Sequence, residues 1–420
     1  MKYNRTELAE NIGFSSIIDE KFKTSSISIR FITPLSAETA AANALGMGTL
    51  SSSNSTYKTL AALNEKLSAL YGAGLSSFAR KRGDVQILGI GASWICNRYA
   101  IDEEDVEGEM LDIFRDCLFA PNAEGGEFDS ESFNITKKDL LDRIDAELNN
   151  KRGFAIARAA ETAFKGEPAE NSCYGTKGSA SAVSSAQAFE AYERLLRTAQ
   201  VEIYFVSPQE NEKAAELFKE SFAKIKRAPE KVTFRTKSPL NSEVVTAEDR
   251  FDVRQCKMVL TFKSETDDVF AMKLLSTIFG ETPVSKLFMN VREKLSLCYY
   301  CACRNIPQKG ALMVDIGAEN SNLEKAKAEI LRQLDEIRNG NITDEELESA
   351  LASLENALCQ IGDTPSSYSG WYFERFCDGQ ISTPQEQLLN YKNVTKARII
   401  EAANSVKLDS IYLMLAKEES

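Results

Sequence analysis

The chemistry open to this 420-residue chain is bounded first by a side chain it lacks: there is no histidine. Imidazole is the one side chain whose unperturbed charge changes near neutral pH, and it is the commonest metal ligand. Its absence removes Ser-His-Asp and Cys-His nucleophiles, imidazole acids and bases, and every zinc site that needs an imidazole. Sulfur is the other soft donor. Nine cysteines stand at 96, 117, 173, 256, 298, 301, 303, 359 and 377. They are odd in number and scattered, unlike a secreted disulfide framework, and fit a reducing cytoplasm. Cys298-x-x-Cys301-x-Cys303 has no second C-x-x-C to complete a zinc set and lies in a strand-like segment, so these are expected to be core or half-exposed thiols. Gly89-Ile90-Gly91 lacks the third glycine of a phosphate loop and falls inside a strand pattern; it suits close approach of a neighbouring strand or of a bound extended peptide. Arg80-Lys81-Arg82 reads as a basic turn flank and is given no function.

The elements that must position any site follow from periodicity. Ile27, Ile29 and Phe31 alternate within Ser25 to Thr33, as in a strand with one buried face. Leu60, Leu63, Leu67 and Leu70 recur at three and four residues, the stripe of a helix that packs on a sheet and is broken over Tyr71 to Gly74. Val85 to Ile90 and Val201 to Val206 read as strands; Glu109 to Phe119 and roughly 131–166 and 180–198 read as helix. The plan then repeats. Met258, Leu260 and Phe262 alternate in a strand, 267–279 reads as helix, and Ile316-Gly317-Ala318 matches Ile90-Gly91-Ala92 at an offset of 226 residues. Asn322 is placed to cap a helix whose stripe is Leu323, Ala326, Ile330, Leu334 and Ile337, with Gly340 as its left-handed stop; Thr343-x-x-Glu346 is a capping box. Strands interleaved with helices, but too few for simple parallel alternation, predict an α+β fold. It comprises two tandem homologous domains, each a mostly antiparallel sheet with helices packed on one face. The expected boundaries are 1–226, a Pro-bearing linker over 227–249, and 250–420.

Composition narrows the partners. Fifty Lys and Arg against 62 Asp and Glu leave a net charge of −12, which opposes binding to a phosphate backbone, so no nucleic acid is expected. The apolar fraction of 43% and charged fraction of 27% are those of an ordinary globular chain. No window approaches the roughly 18 apolar residues of a membrane span, and MKYNRTELAENIGF holds no apolar leader core. The expectation is therefore a cytoplasmic protein with no membrane partner.

From Ser285 to Tyr299 the chain reads SKLFMNVREKLSLCY, and this resembles the C-terminal signature S-R-L-F-x-x-V-R-E-x-x-G-L-x-Y of the pitrilysin/insulinase family of zinc peptidases. Ser285, Leu287, Phe288, Val291, Arg292, Glu293, Leu297 and Tyr299 match, and Ser296 replaces the usual glycine. Leu118 to Phe128 resembles the family's loop before its long helix, and Tyr174 to Gly178 its Y-G-x-x-G turn. Active members carry H-x-x-E-H on a helix ahead of a G-T pair, and a glutamate ligand downstream. Spacing back from Gly48-Thr49 puts Thr39, Ala42 and Asn43 at those positions, and the downstream ligand near Asp142 and Arg143. A hydrolytic zinc needs three protein ligands and a glutamate base for its water; threonine and asparagine are poor ligands and alanine is no base. The resemblance thus implies a chain that holds no metal or other cofactor and hydrolyses nothing alone.

Arg292 on an amphipathic helix would ordinarily be a solvated or salt-bridged surface residue. In the family, Arg292 and Tyr299 resemble the pair that reaches a substrate at the zinc of the other half, where guanidinium and phenol can hold a peptide carbonyl or its oxyanion; a one-residue register shift would exchange Tyr299 for Tyr300. The resemblance implies a non-catalytic subunit that pairs with a zinc-bearing relative, as a heterodimer, or forms a homodimer, around a peptide or unfolded protein substrate. Ser53-Asn54-Ser55, Leu67 to Ala73 and Lys81 resemble the bacterial partner type associated with aminopentanol modification of elongation factor P. The alternative is a structural or peptide-binding scaffold with no role in proteolysis. An unrelated hydrolase would need a Ser/Lys or carboxylate site that spacing does not reveal.

Overall fold

A computed structural model describes residues 1–417. In chain order the first half runs through strands β1 (Lys2–Ala9), β2 (Ile12–Ile18) and β3 (Thr24–Pro34), helices α1 (Ala40–Thr49) and α2 (Leu60–Ala69), strands β4 (Gly74–Arg82) and β5 (Val85–Ile95), and helix α3 (Val106–Phe119). A short hairpin, β6 (Ala123–Glu124) and β7 (Glu127–Phe128), precedes helices α4 (Ser130–Glu147), α5 (Lys151–Ala163), α6 (Lys177–Ala182) and α7 (Ser185–Thr198), strand β8 (Gln200–Ser207) and helix α8 (Glu212–Ala223). The second half runs through β9 (Val245–Phe251), β10 (Cys256–Ser264), α9 (Val269–Ser276), a π-helical segment (Leu287–Lys294), β11 (Tyr300–Ile306), β12 (Ala311–Ala318) and α10 (Leu323–Arg338). It closes with α11 (Asp344–Cys359), α12 (Pro365–Cys377), α13 (Pro384–Lys392), α14 (Lys396–Ser405) and β13 (Val406–Ala416).

The fold is α+β and doubled. One sheet has the order β1-β2-β8-β3-β5-β4 and the other β9-β13-β10-β12-β11. Apart from the extra edge strand β1, the two orders correspond strand for strand. Each has a single parallel pair, β2 with β8 and β9 with β13, in an otherwise antiparallel sheet. Such a repeat of both order and direction is the signature of two copies of one unit. The alternation in β3 works as expected: Ile27, Ile29 and Phe31 join the helix-side core of the first sheet. Met258, Leu260 and Phe262 of β10 do the same in the second. Gly89 lies so close to β3 that a Cβ there would stand 1.9 Å from the carbonyl oxygen of Ile29, so the glycine serves strand packing.

The chain separates into two compact units whose membership does not follow a single cut in the sequence. Unit 1 comprises Met1–Ala146, Asn171–Thr233 and Ile361–Ile381; unit 2 comprises Glu147–Glu170, Phe234–Gln360 and the segment from Ser382. Each half of the sequence thus supplies one helix to the unit built by the other. Helices cover one face of each sheet, and the donated helix covers part of the second face. In unit 2 that helix is α5, whose Ala155, Ala159 and Ala163 recur every fourth residue and pack with Val259, Met313, Tyr412 and Met414; alanine lets a helix approach a sheet closely. In unit 1 it is α12. There Arg30 of β3 is sandwiched between the rings of Tyr204 and Phe373, 4.6 and 4.4 Å from their centroids, and donates to the Ser369 carbonyl at 2.9 Å. Burial pulls the Arg30 guanidinium down to about 10.

The basic run at 80–82 flanks a turn as expected, closing strand β4 just before Gly83 and Asp84, and in addition Arg82 is buried and paired with Glu374 at 3.0 Å and Asp378 at 2.6 Å on α12. The helical stretch over 131–166 is two helices, because Asn150 caps α5 by accepting from the amide of Gly153 at 3.0 Å. The capping box at Thr343 and Glu346 forms with both bonds, and Gly340 adopts φ +84. Asn322 takes the N-cap position of α10 without a side-chain cap bond, since a 3-10 turn (Asn320–Asn322) leads into the helix instead. Within 227–249 the backbone is held at both ends. Ala228 and Glu230 donate to Arg197 and Thr198 in unit 1, Thr236 and Ser238 donate to Gln308 and Lys309 in unit 2, and β9 begins at Val245.

Candidate functional site

The three residues at the zinc-motif positions lie at the start of α1. Thr39 is its N-cap residue and makes no capping bond, and Ala42 is half-buried with no polar atom to offer. Asn43 is 1% exposed and fully engaged. Its Nδ2 donates to Gln86 Oε1 at 2.9 Å and its Oδ1 accepts from Arg194 Nη2 at 2.6 Å, while Gln86 Nε2 donates to the carbonyls of Ala40 and Cys173 at 3.0 and 2.7 Å. Neutral amides and one guanidinium occupy the start of this helix. A divalent cation would have to displace a satisfied hydrogen-bond network and would meet a positive charge, so these residues do not fit zinc. Among the described residues no group of three or more Cys, Asp or Glu side chains is assembled that could hold a metal ion.

Further along α1, Ala44 and Gly48 border a cavity of about 140 Å³ that is also lined by Ser77 of β4 and by Thr136 and Arg143 of α4. Arg143, beside the expected position of the third ligand, donates to the Tyr174 hydroxyl at 3.0 Å; that hydroxyl in turn donates to the Ala79 carbonyl of β4 at 3.1 Å. Asp142 points elsewhere and pairs with Lys138 at 2.6 Å. Arg143 thus lines the cavity together with Asp139 one helical turn earlier, while Asp142 does not.

Arg292 and Tyr299 come together in unit 2. The motif explains itself residue by residue. The Ser285 hydroxyl donates to the Thr282 carbonyl at 2.6 Å, which starts the helical segment; Leu287 and Val291 are fully buried. Phe288 provides a ring over which the Arg292 guanidinium lies at 4.6 Å. The segment stops where the amides of Ser296 and Leu297 return to the carbonyls of Arg292 and Val291, with Ser296 at φ +49. This is a left-handed helix stop that favours glycine, and the serine there carries conformational strain. Tyr299 then donates its amide to Gly317 at 2.8 Å, which aligns it on β12 as the chain enters β11.

The resulting cleft, about 570 Å³, is lined by Arg292, Ser296, Cys298, Tyr299, Glu319 and Asn322 among others. Arg292 pairs loosely with its neighbour Glu293 at 3.5 Å, and the Tyr299 hydroxyl reaches Glu319 at 3.4 Å. Tyr299 is 58% exposed. Tyr300 is excluded from this cleft: its ring packs on Gly317 and beneath Arg152, 4.3 Å from the centroid, beside Lys257. The bend at Tyr299, just before β11 begins, separates the two tyrosines, and Tyr299 is the one that lines the cleft with Arg292. Sequence reasoning missed the Gln86 and Arg194 partners of Asn43, because nothing local marks a buried glutamine in a strand as the hub of a network. A polar residue inside the apolar run Val85 to Ile90 was the available signal.

No helix among the described residues is long and apolar enough to cross a membrane. Residues 182–354 match the family model described as the peptidase M16 inactive domain. The chain is 28% identical over 413 residues to the probable inactive metalloprotease YmfF of Bacillus subtilis (strain 168), covering 95% of this chain and 94% of that one. Its fold is similar to a conserved protein of Enterococcus faecalis V583, with a TM-score of 0.92 and 25% identity over the full length of both chains. It is also similar to a peptidase M16 inactive domain of Pseudomonas fluorescens, with a TM-score of 0.81 and 16% identity over 100% of this chain and 99% of that one. With the doubled sheet, the matched signature and the missing imidazoles, the chain is similar to the inactive relatives of the pitrilysin/insulinase (M16) zinc peptidases and lacks the family's zinc-binding motif.

Proposed function

We propose that this chain is the non-catalytic subunit of a two-chain peptidase, pairing with a zinc-bearing relative and lending Arg292 and Tyr299 to that relative's peptide chamber. The observation that carries the reading is the contrast in how polar groups are used. At the helix that matches the zinc-motif positions the buried amide of Asn43 is bonded internally, whereas Arg292 and Tyr299 share an open cleft with only loose partners at 3.5 and 3.4 Å. A guanidinium and a phenol aimed at one space can donate to a peptide carbonyl and to the oxyanion that develops when it is attacked. An extended substrate would add its backbone to a sheet edge; β4 is the outer strand beside the α1 cavity in unit 1, and β11 the outer strand beside the cleft in unit 2.

The test is reconstitution. The chain purified from its native source is analysed for a co-purifying zinc peptidase, and peptide cleavage by the pair is measured with wild-type chain, Arg292→Ala and Tyr299→Phe. Each variant is expected to slow turnover by roughly 10² to 10³, the usual cost of one oxyanion donor. Wild-type rates from both would end the role given to the pair. Recovery in an assembly with no peptidase would favour a scaffold, the reading that the refilled α1 site also supports.

A further inference from the structure

The second face of the unit 2 sheet, at the start of α5, carries a group of hydrogen-bond donors with too few acceptors. Tyr300, Gly317 and Lys257 stand side by side across β11, β12 and β10, and Asp315 shares their face two residues before Gly317. Gly317 leaves room for the groups around it: a Cβ there would stand 2.4 Å from Tyr300 Cε1 and 2.9 Å from Gln255 Oε1. Arg152, in the first turn of α5, lies over the Tyr300 ring at 4.3 Å from its centroid, and the Lys257 ammonium approaches the same ring to 5.3 Å.

Neither charge nor hydrogen bonds balance among these residues. Lys257 is 8% exposed, and its ammonium donates to Gln255 Oε1 and to no carboxylate among the described residues. The buried carboxylate of Asp315 is already shared by Arg152 Nε at 2.5 Å and Arg304 Nη2 at 3.3 Å. Three cations thus meet one carboxylate, in a chain whose net charge is −12. Donors remain unused: two ammonium hydrogens of Lys257, the Nη groups of Arg152, the Tyr300 hydroxyl and the Gln255 amide nitrogen. An ammonium taken out of water without a counter-ion is costly. Burial pulls the Lys257 ammonium below the usual lysine range, and the Arg152 charge adds to the lowering.

We propose that this cluster is an oxyanion site that takes a phosphate dianion, free or as the monoester of a small molecule, on Lys257, Arg152 and Tyr300. The charge fits, since the dianion cancels the local excess of two. The directions fit as well. The donors come from the sheet surface, from the helix above the ring and from the phenol, which suits a tetrahedral group with oxygens on several sides better than a planar carboxylate. Arg152 and Arg304 are both nearly half exposed, which gives the anion its route from solvent. All of these residues belong to unit 2 and none lines the Arg292 cleft, so the site stands whether or not a partner uses that cleft.

The experiment titrates the full chain calorimetrically in phosphate-free buffer, at an ionic strength fixed with sodium chloride, with inorganic phosphate, with glycerol 3-phosphate and with acetate. Saturable binding of a phosphate compound at one site per chain is expected, with acetate weaker by roughly tenfold or more. Tighter binding of the monoester assigns the site to esters, and tighter binding of inorganic phosphate assigns it to the free anion. Lys257→Met should weaken phosphate binding by roughly 10- to 100-fold. In phosphate-free buffer the same variant should unfold at a temperature no lower than wild type, because it removes an unpaired buried charge. Tyr300→Phe keeps the ring beneath Arg152 and removes one donor, and should weaken binding by roughly three- to tenfold. No saturable binding of either phosphate compound, acetate bound as tightly, or wild-type affinity in Lys257→Met overturns the proposal. Should Lys257→Met fail to fold, the wild-type and Tyr300→Phe titrations decide.

Discussion

The start of α1 in unit 1 and the Arg292 cleft in unit 2 are the two places where the resemblance to zinc peptidases points to chemistry, and their polar groups are arranged in opposite ways. At the start of α1 the buried amide groups have internal partners. The amide of Asn43 spans Gln86 and Arg194, and Gln86 also holds two backbone carbonyls. At the cleft the guanidinium rests on a ring and the phenol faces solvent. A buried polar group without a partner costs roughly 1 to 3 kcal/mol, so a buried polar helix start with no ligand is stable only once its polar atoms are bonded to one another. Donors meant for a ligand must be left undersatisfied, and they are tolerated because water reaches them. Internal satisfaction therefore marks structure, and exposed, loosely paired donors mark availability.

Several substitutions can break or sharpen that contrast, from the largest effect to the smallest. Arg292→Ala and Tyr299→Phe should lower partner-dependent turnover by roughly 10² to 10³ yet leave unfolding stability within about 0.5 kcal/mol; a large loss of stability would place the pair with structure after all. Gln86→Leu should do the reverse. It leaves the Asn43 amide and the carbonyls of Ala40 and Cys173 without their partner, and should destabilise unit 1 by roughly 2 to 3 kcal/mol, read from the midpoint of denaturant unfolding. Ser296→Gly relieves a left-handed residue that costs roughly 1 to 2 kcal/mol, offset by the entropy glycine adds to the unfolded chain. A net gain of roughly 0.5 to 1 kcal/mol is expected in the same measurement.

The smallest effect concerns pH. Asn290, two residues before Arg292, donates to Gln333, and Gln333 donates to Glu329. The hydrogen bond from Arg332 holds the Glu329 carboxyl below the usual carboxylate range. A depressed folded value means that this group's stabilisation is complete above the unfolded pKa, about 4.3, and fades as pH falls below it toward the folded value. Glu329→Gln should lower stability slightly near neutrality, where that contribution is complete, and flatten that part of the acid limb of a stability profile, so that the two profiles converge at low pH. An unchanged limb would remove Glu329 from the support of the Arg292 segment.

Much of this architecture could be read without coordinates. Period-two alternation at Ile27, Ile29 and Phe31 and at Met258, Leu260 and Phe262 located the two strands at the centre of the sheets, because a strand with one face in a core must alternate. The capping box at Thr343 and the stop at Gly340 are local hydrogen-bond and backbone preferences, and they formed as expected. The missing histidines alone settled that this chain could not assemble the family's zinc site. Other features depend on contacts between residues far apart in sequence. Helices α5 and α12 cross to the unit built by the other half of the chain, and the Arg82 partners Glu374 and Asp378 lie almost three hundred positions away. Arg292 and Tyr299 were nominated by the motif, but the bend at Tyr299 and the pairing of β11 with β12 determined that Tyr299, and not Tyr300, shares its cleft. Local sequence sets which conformations a segment prefers; which side chains meet is fixed only when distant segments pack and every buried polar group must find a partner.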